Sequence, residues 1–157
     1  MRWVDIDPKI QERLEDVIMP WKGTPYMTGQ QICGVGVDCV RFVCAVLDDL
    51  YGMRRQGVEH MPYDTCLHNP EGARRVMKKV LSRYDHETLN TFRSVEPGDI
   101  LMVGVNGAPG HAMIIGKRNQ LWHQSGKSVV MTSAIFPVWK PVKLCRPKNK
   151  DLWICHS

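Results

Sequence analysis

The sequence predicts an α+β fold in which N-terminal helices pack on a mostly antiparallel C-terminal β-sheet. Three helical patterns occupy the first half of the chain, near residues 8–19, 38–51 and 69–84. After residue 97 the pattern changes to short β-rich runs that are separated by glycine, proline, asparagine and serine. Helices followed by strands favour an α+β arrangement over a doubly wound parallel sheet. The length of 157 residues predicts a single domain, residues 1–157, with its own core.

The first helix is predicted to begin at Pro8, with Asp7 as its N-cap, because proline is favoured at the first helical position. Pro20 should end this helix. The loop that follows, residues 20–37, is rich in glycine and other turn residues. The apolar residues that recur at helical spacing are Ile10, Leu14, Val17 and Ile18.

The second helix is predicted to run from about Asp38 to Tyr51, with Gly52 closing it. We expect Asp48 and Asp49 on its outer face. The apolar face of this helix is formed by Val43, Val46, Leu47 and Leu50.

The third helix is indicated by "NPEGARRVMKKVLSRY", in which Asn69 can act as the cap and Pro70 as the first helical residue. Strands should follow, because the later runs are short, β-branched and bounded by turn residues. These runs are "PGDILMVGV", "GHAMIIG", "QLWHQS", "SVVMTSAI" and "PVKLCRP".

The position of Cys39 makes it a candidate nucleophile. It follows the predicted N-cap Asp38, so it lies in the first turn of the second helix. Backbone N–H groups and the positive end of the helix dipole stabilise a thiolate there, and we expect a lowered pKa and a reactive thiol. The alternative is a small buried residue that merely begins a helix. The local context does not separate the two interpretations.

Two histidines are candidates for the base that a thiol nucleophile needs. His111 begins the run "HAMIIG", and His123 lies in the next run, "LWHQ". A hairpin through "KRNQ" would bring these strands side by side and the two histidines close together. Two ordinary strand histidines are the alternative interpretation. The remaining histidines, which we expect in solvated positions or in the C-terminal tail, are His60, His68, His86 and His156.

Two segments, taken together, carry a family resemblance. The first, "GTPYMTGQQICGVGVDCVRFVCAVLDDLYG", has Pro-Tyr, a glycine-containing loop and Asp-Cys at a helix start. The second, "VEPGDILMV" followed by "GHAMIIGKRNQLWHQSG", places His123 twelve residues after His111. They resemble the NlpC family of cell-wall cysteine peptidases, which has G-x-D-C-S-G-F-V, then P-G-D-L-x-x-F, then G-H-V-G-I-Y and a downstream histidine. The resemblance covers about residues 21–126.

The resemblance implies a papain-like fold in which Cys39 is the nucleophile, His111 the general base and then acid, and His123 the residue that orients it. Tyr26 matches the family tyrosine that borders the substrate pocket, and Asp38 matches the aspartate before the nucleophile. The implied reaction is hydrolysis of an amide bond in the peptide stem of peptidoglycan, between D-glutamate and a diamino acid. It proceeds through an acyl-enzyme and uses no cofactor.

The sequence departs from the family pattern directly after the nucleophile. The family usually has Asp-Cys-Ser-Gly-Phe, whereas this chain has Asp38-Cys39-Val40-Arg41-Phe42. Val40 cannot make the hydrogen bond that a serine hydroxyl offers to substrate. Arg41 is a candidate to bind a substrate carboxylate instead, and a solvated arginine on the outer helix face is the alternative. The departure leaves open which bond is cleaved.

Composition excludes several function classes. The six cysteines contain no C-x-x-C pair, so we expect reduced thiols and no zinc site. The sequence does not decide whether Cys33 forms a disulfide with Cys39. The net charge of +5 favours polyanions such as cell-wall polymers, but no nucleic-acid-binding motif is present. For Trp21, Trp122 and Trp139, core packing is expected ahead of a groove-lining role.

The cellular setting is predicted from the N-terminus and from hydropathy. The polar start, "MRWVDIDPKIQERLED", is not typical of a secretory signal, and no apolar run approaches the ~18 residues of a membrane span. We therefore expect synthesis in the cytoplasm, no membrane partner, and delivery to the wall by other means, as in a phage tail. Two alternatives stay open. One is a thiol hydrolase or acyltransferase on another amide, ester or thioester, and the other is a non-catalytic phage tail or assembly protein.

Overall fold

Helices at the N-terminal end precede a central sheet, and a short helix, Asp151–Cys155, follows it. The computed structural model describes residues 1–53, 75, 78–105, 108–133 and 139–155. Helix α1 spans Pro8–Ile18 and helix α2 spans Cys39–Leu50. The predicted start of a third helix lies outside the described residues, as do Cys66, His60, His68 and His156.

The start of α1 follows the predicted capping pattern. The Asp7 side chain accepts a hydrogen bond from the backbone N–H of Lys9 at 2.9 Å, and Pro8 is the first helical residue. A 3₁₀ turn, Met19–Trp21, follows directly and contains the predicted Pro20 break. Trp21 ends this turn in the core, where it packs edge-on against an aromatic ring of α2.

Six antiparallel strands of the described residues form the central sheet, and their spatial order is β4 (His86–Leu89), β10 (Lys140–Pro147), β6 (Ile100–Val105), β7 (Ala108–Ile115), β8 (Leu121–Gln124) and β9 (Val129–Thr132). Three of them lie within the predicted β-rich runs, and β7 and β10 begin two residues and one residue before their runs. Strand β4 falls in a segment for which no strand was predicted. Two short pairs form separate two-stranded sheets, β1 (Arg2–Trp3) with β5 (Ser94–Val95) and β2 (Gln31–Ile32) with β3 (Gly36–Val37).

The two faces of the sheet bury different side chains, as the period of two along each strand requires. Ile100, Met102, Ala112 and Ile114 belong to the core cluster that includes α1 and α2. A second cluster covers the opposite face, with Trp139 packed against it. The members of the second cluster are Val95, Leu101, Val103, Met113, Ile115, Leu121 and Leu144. His111 precedes Met113 by two residues and therefore shares its side of β7.

Helix α2 is buried almost all round, since it packs against α1, β7 and β8. The expectation that Asp48 points outward is therefore wrong. Its carboxylate is buried, accepts a 2.5 Å hydrogen bond from the Tyr84 hydroxyl and lies 3.6 Å from Arg83. These partners explain how a charged side chain is tolerated inside the helix packing. His86 was expected in a solvated position, yet it is half-buried in β4, with Nδ1 2.7 Å from the carbonyl of Tyr84.

A second buried carboxylate fixes the start of β6. Asp99 is fully buried and receives two hydrogen bonds from the Arg146 guanidinium, at 3.0 and 2.9 Å. Its Oδ2 also accepts from the backbone N–H of Glu96, and Lys150 pairs with Glu96 at 2.8 Å. Paired hydrogen bonds of this kind hold both distance and orientation. The turn before β6 is thereby fastened to β10 and to the segment that leads into the C-terminal helix.

Candidate active site

The N-terminus of α2 places Cys39 as the first residue of the helix. Asp38 caps this helix, because its Oδ1 accepts a 2.8 Å hydrogen bond from the backbone N–H of Arg41. The other carboxylate oxygen accepts from the backbone N–H of Gly29 at 3.0 Å, which ties the preceding loop to the helix start. The local pattern that predicted this cap is therefore reproduced in the fold.

Burial sets the protonation state of the Cys39 thiol. The residue is only 8% exposed, and loss of solvation raises the thiol pKa to about 12, with the negative charge of Asp38 acting in the same direction. Hydrogen bonds with the backbone of Ala112 and Val40 act in the opposite direction but are weaker. The expectation of a lowered pKa at the helix start is wrong, because desolvation outweighs the helix terminus. Cys39 rests as a neutral thiol.

His111 and His123 form a hydrogen-bonded pair across β7 and β8. Nε2 of His111 lies 2.8 Å from Nδ1 of His123, and the two rings are nearly perpendicular. Burial lowers the pKa of His111 to about 3, with His123 contributing in the same sense, and burial also lowers the pKa of His123. Both imidazoles are therefore neutral near pH 7. One nitrogen of the bond donates and the other accepts, so the tautomer of one ring determines the tautomer of the other.

One cleft of about 220 Å³ brings together the three residues that the sequence predicted as catalytic. Trp139 forms one wall, since its ring meets the His111 ring edge-on at 4.9 Å between centroids. Tyr26, predicted to border a substrate pocket, does line this cleft. The lining residues are Tyr26, Cys39, His111, Met113, His123, Gln124, Ser125, Gly126 and Trp139.

The loop that carries Tyr26 is fastened to the turn between β8 and β9. The backbone N–H of Tyr26 donates to the carbonyl of Lys127 at 2.9 Å, and Pro25 forms a β-bridge with Ser128. The Tyr26 side chain is 44% exposed, and its hydroxyl accepts a hydrogen bond from Thr28. Tyr26 therefore lies at the mouth of the cleft on a backbone that the sheet holds in place.

Gln124 is a lining residue that the sequence analysis missed. Its side chain is buried, and Nε2 donates to the carbonyls of Thr24 and Val37, at 3.2 and 3.1 Å. Its Oε1 accepts from the backbone N–H of Gly126 at 3.1 Å. One amide thus joins the Tyr26 loop, the strand before Cys39 and the β8–β9 turn. A glutamine inside the apolar strand "LWHQ" was the available signal, because a buried amide requires partners.

Asp38 and Arg41, which the sequence proposed as substrate-binding residues, are not brought to the cleft. Arg41 is buried, with Nε 3.4 Å from Oδ2 of Asp38. A helix turns by ~100° per residue, so a side chain two positions after Cys39 points well away from the thiol. The structure places both residues at the base of α2, and neither lines the cleft.

The described residues offer little for metal binding or membrane insertion. Within them, no group of three or more His, Cys, Asp or Glu side chains is arranged to hold a metal ion. No helix in that part of the chain combines the length and apolar composition needed to cross a bilayer. A separate cavity of about 320 Å³ beside α1 contains the exposed thiol of Cys33, but its lining includes neither His111 nor His123.

Comparison with known proteins gives a match at the level of structure. No family model and no curated protein matches the sequence. The chain is similar to NlpC2 from Trichomonas vaginalis, with TM-score 0.58, 13% identity, and coverage of 90% of this chain and 47% of the other. It is also similar to an NLP/P60 family protein, described as similar to lipoprotein, from Staphylococcus aureus. That match has a TM-score of 0.59 and 15% identity, and it covers 92% of this chain and 43% of the other. The third match is the NlpC/p60 domain of peptidoglycan hydrolase SagA, with a TM-score of 0.52 and 20% identity, and it covers 85% of this chain and 96% of the other.

These similarities concern the fold. The chain spans about half the length of the first two structures and nearly all of the third. None of the three supports a phage-tail setting. The identities, from 13% to 20%, are too low to transfer an activity. The chain has the fold of NlpC/P60 proteins, and the predicted papain-like α+β class is confirmed.

Proposed function

We propose that the protein is a cysteine peptidase or amidase that hydrolyses an amide bond in the peptide stem of peptidoglycan. The observation that supports this most strongly is the cleft in which Cys39, His111 and His123 meet, with the two imidazoles hydrogen-bonded at 2.8 Å. A thiol, a base and an orienting group are the minimum set for nucleophilic catalysis by cysteine. The SagA domain, named as part of a peptidoglycan hydrolase, has the same fold and supports the substrate.

The first half of the proposed reaction begins from neutral groups. His111 takes the proton of Cys39 as the sulfur attacks the amide carbonyl, and backbone N–H groups at the start of α2 stabilise the oxyanion. To accept this proton at Nδ1, His111 must carry its other hydrogen on Nε2 and donate it to Nδ1 of His123. Protonated His111 then gives its proton to the leaving amine, and an acyl-enzyme remains on the sulfur.

The second half releases the acyl group to water. Neutral His111 accepts a proton from a water molecule that attacks the thioester, and the proton returns to the sulfur as the carbon–sulfur bond breaks. His123 keeps the imidazole in one tautomer through both halves. Each turnover therefore consumes one water and leaves thiol and imidazole as they began.

Purified peptidoglycan stem peptides, with products identified by mass spectrometry, test this proposal. Wild-type protein should release two fragments from one amide bond, while Cys39→Ala should release none. Cys33→Ala is the matched control, because Cys33 is an exposed free thiol outside the cleft. Cleavage that survives in Cys39→Ala would refute the proposed nucleophile. Absence of cleavage with every stem peptide would favour a non-catalytic binding protein of this fold.

A second candidate function is a thiol hydrolase or acyltransferase on small esters or thioesters. The apolar side chains of Met113 and Trp139 beside the nucleophile favour it, because such walls suit an uncharged acyl group. Nitrophenyl acetate and butyrate, assayed beside the stem peptides, distinguish the two functions. Turnover of the esters without peptide cleavage would favour the second.

A further inference from the structure

The walls of the cleft beside Cys39 are uncharged. No Lys, Arg, Asp or Glu lies among the described residues that line it. Tyr26, Met113 and Trp139 contribute rings and a thioether, and the two histidines are neutral near pH 7. A substrate group that enters this space therefore loses water without meeting a full positive charge.

Several polar groups of the lining are already engaged within the protein. The amide of Gln124 makes three hydrogen bonds, to Thr24, Val37 and Gly126. The Ser125 hydroxyl donates to the carbonyl of Ser128 at 3.0 Å. The imidazoles bond to each other. The rest of the lining is mainly apolar surface, together with uncharged hydrogen-bonding groups on Tyr26 and at Nδ1 of His111.

The charged residues nearest to the lining in sequence do not supply a positive charge to the cleft. Arg41 is held by Asp38 and lies outside the lining, and Asp38 itself places a negative charge next to Cys39. Lys127 is exposed on the β8–β9 turn and also lies outside the lining. A carboxylate in the cleft would be desolvated and would also feel Asp38, and at the Cys39 sulfur these two effects outweigh the backbone hydrogen bonds of the helix start, so the balance disfavours an anion.

We infer that the cleft beside Cys39 binds an uncharged group, such as an apolar side chain or a neutral amide, that is no larger than about one amino-acid side chain. The volume of about 220 Å³ lies below the ~300 Å³ at which drug-sized sites begin, which sets the size limit. Resting on the proposed function, the inference gives the substrate a definite form. In the stem peptide that is cleaved, the D-glutamate beside the scissile bond carries an amide in place of its free carboxylate.

Alkylation of the cysteines tests the cleft without any hydrolysis. Iodoacetamide is neutral and iodoacetate is anionic, and both form the same carbon–sulfur bond with loss of iodide. The ratio of their rates at Cys39 is compared, peptide by peptide in a mass spectrometer, with the ratio at the exposed thiols Cys33 and Cys155 of the same molecule. Both reagents react with the same thiolate, so the thiolate fraction of each cysteine cancels in its ratio. Salt at about 0.15 M screens the long-range attraction of the +5 chain for the anionic reagent.

The ratio of the iodoacetamide rate to the iodoacetate rate should be about tenfold higher at Cys39 than at Cys33, because an unpaired buried charge is costly. An equal or smaller ratio at Cys39 would overturn the inference. A Ser125→Lys variant places a cation at the exposed rim of the lining and should reduce the Cys39 ratio about threefold. Ser128→Lys adds the same charge to the same turn outside the lining and should leave the ratio unchanged. Equal effects of the two lysines would contradict a local site.

Two stem peptides that differ only in this carboxylate or its amide complete the test. The amidated peptide should be cleaved with a kcat/KM about tenfold higher. Preference for the acidic peptide would overturn the inference while leaving the hydrolase proposal intact. Absence of cleavage of both peptides, with the alkylation ratio as expected, would refute the proposed peptidase function and support the neutral cleft. The two failures are therefore distinguishable.

Discussion

Replacement of Gln124 by alanine should weaken the link between the nucleophile segment and the sheet. The side chain makes three hydrogen bonds to buried or half-buried backbone groups, and the alanine variant leaves the carbonyls of Thr24 and Val37 without this donor. At about 1 kcal/mol for each bond, the loss is about 3 kcal/mol. For a chain of this size, that corresponds to a fall in melting temperature of about 6–12 °C.

The activity of this variant should fall as well, because Val37 lies two residues before Cys39 while Gln124 adjoins His123. A small shift between nucleophile and base lowers kcat, and displacement by 1 Å can cost about 100-fold. Calorimetry and stem-peptide turnover measure the two effects. Gln30→Ala, at an exposed position in the same loop region, is the control and should change neither.

The isosteric variant Gln124→Glu separates hydrogen bonding from packing. Its carboxylate would face the carbonyls of Thr24 and Val37, so folding should raise its pKa above the ordinary glutamate value. The protonated form donates one hydrogen bond, and the folded state therefore binds the proton more tightly than the unfolded state. The loss of stability relative to wild type at the same pH should therefore be smaller at pH 5 than at pH 8, and it should grow as pH rises. A melting temperature within 2 °C of wild type for both variants at about pH 8 would refute the reasoning.

The predicted catalytic residues and the buried Asp99–Arg146 pair give three further expectations. The rate at which iodoacetamide labels Cys39, followed by mass spectrometry, should rise about tenfold per pH unit from about pH 7 to 9, because the raised pKa keeps the thiolate scarce; a plateau below about pH 8 would contradict it. His111→Ala should lower kcat by about 100-fold or more without loss of melting temperature, and His123→Ala should be milder; an unfolded His111→Ala would make that histidine structural. Arg146→Lys replaces two parallel hydrogen bonds to Asp99 by a point charge, costing about 2 kcal/mol or about 4–8 °C by calorimetry; an unchanged melting temperature would show that the pair contributes nothing.

The parts of the fold that local chemistry controls were predictable from the sequence. The Asp7 and Asp38 caps, the Pro20 break and the strands after residue 97 depend on neighbouring residues, and the structure reproduces them. Burial of Asp48 was not predictable in this way, because Tyr84 and Arg83 approach from more than thirty residues away. Strand β4 was missed for the same reason, since "HETL" has no apolar alternation and pairs only because β10 lies beside it.

In the candidate site, too, the features set by neighbouring residues were predictable and those set by distant contacts were not. Residue types and spacing named Cys39, His111 and His123, which the fold brings to one cleft. The pKa of the thiol was predicted with the wrong sign, because a helix terminus is a local feature whereas desolvation depends on everything packed around it. Core packing was expected for Trp139 ahead of a groove-lining role, and the structure shows both, since the ring packs against the second core cluster and also stands against His111 as a wall of the cleft. Tertiary contacts decide such positions, and a single sequence does not display them.

A neutral resting site is consistent with the way the cleft is built. A thiolate–imidazolium pair formed by Cys39 and His111 before substrate arrives would place two charges where burial disfavours each of them. Under the proposed mechanism, negative charge develops only as the sulfur attacks, and it develops on the carbonyl oxygen near the N–H groups of the α2 start. His111 then needs its positive charge only while that oxyanion exists, and the bond to His123 keeps the accepting nitrogen ready. Under the same mechanism, the burial that raises the thiol pKa would keep the sulfur protonated and less open to oxidation between turnovers, and it would strengthen electrostatic stabilisation once an acyl group has displaced water.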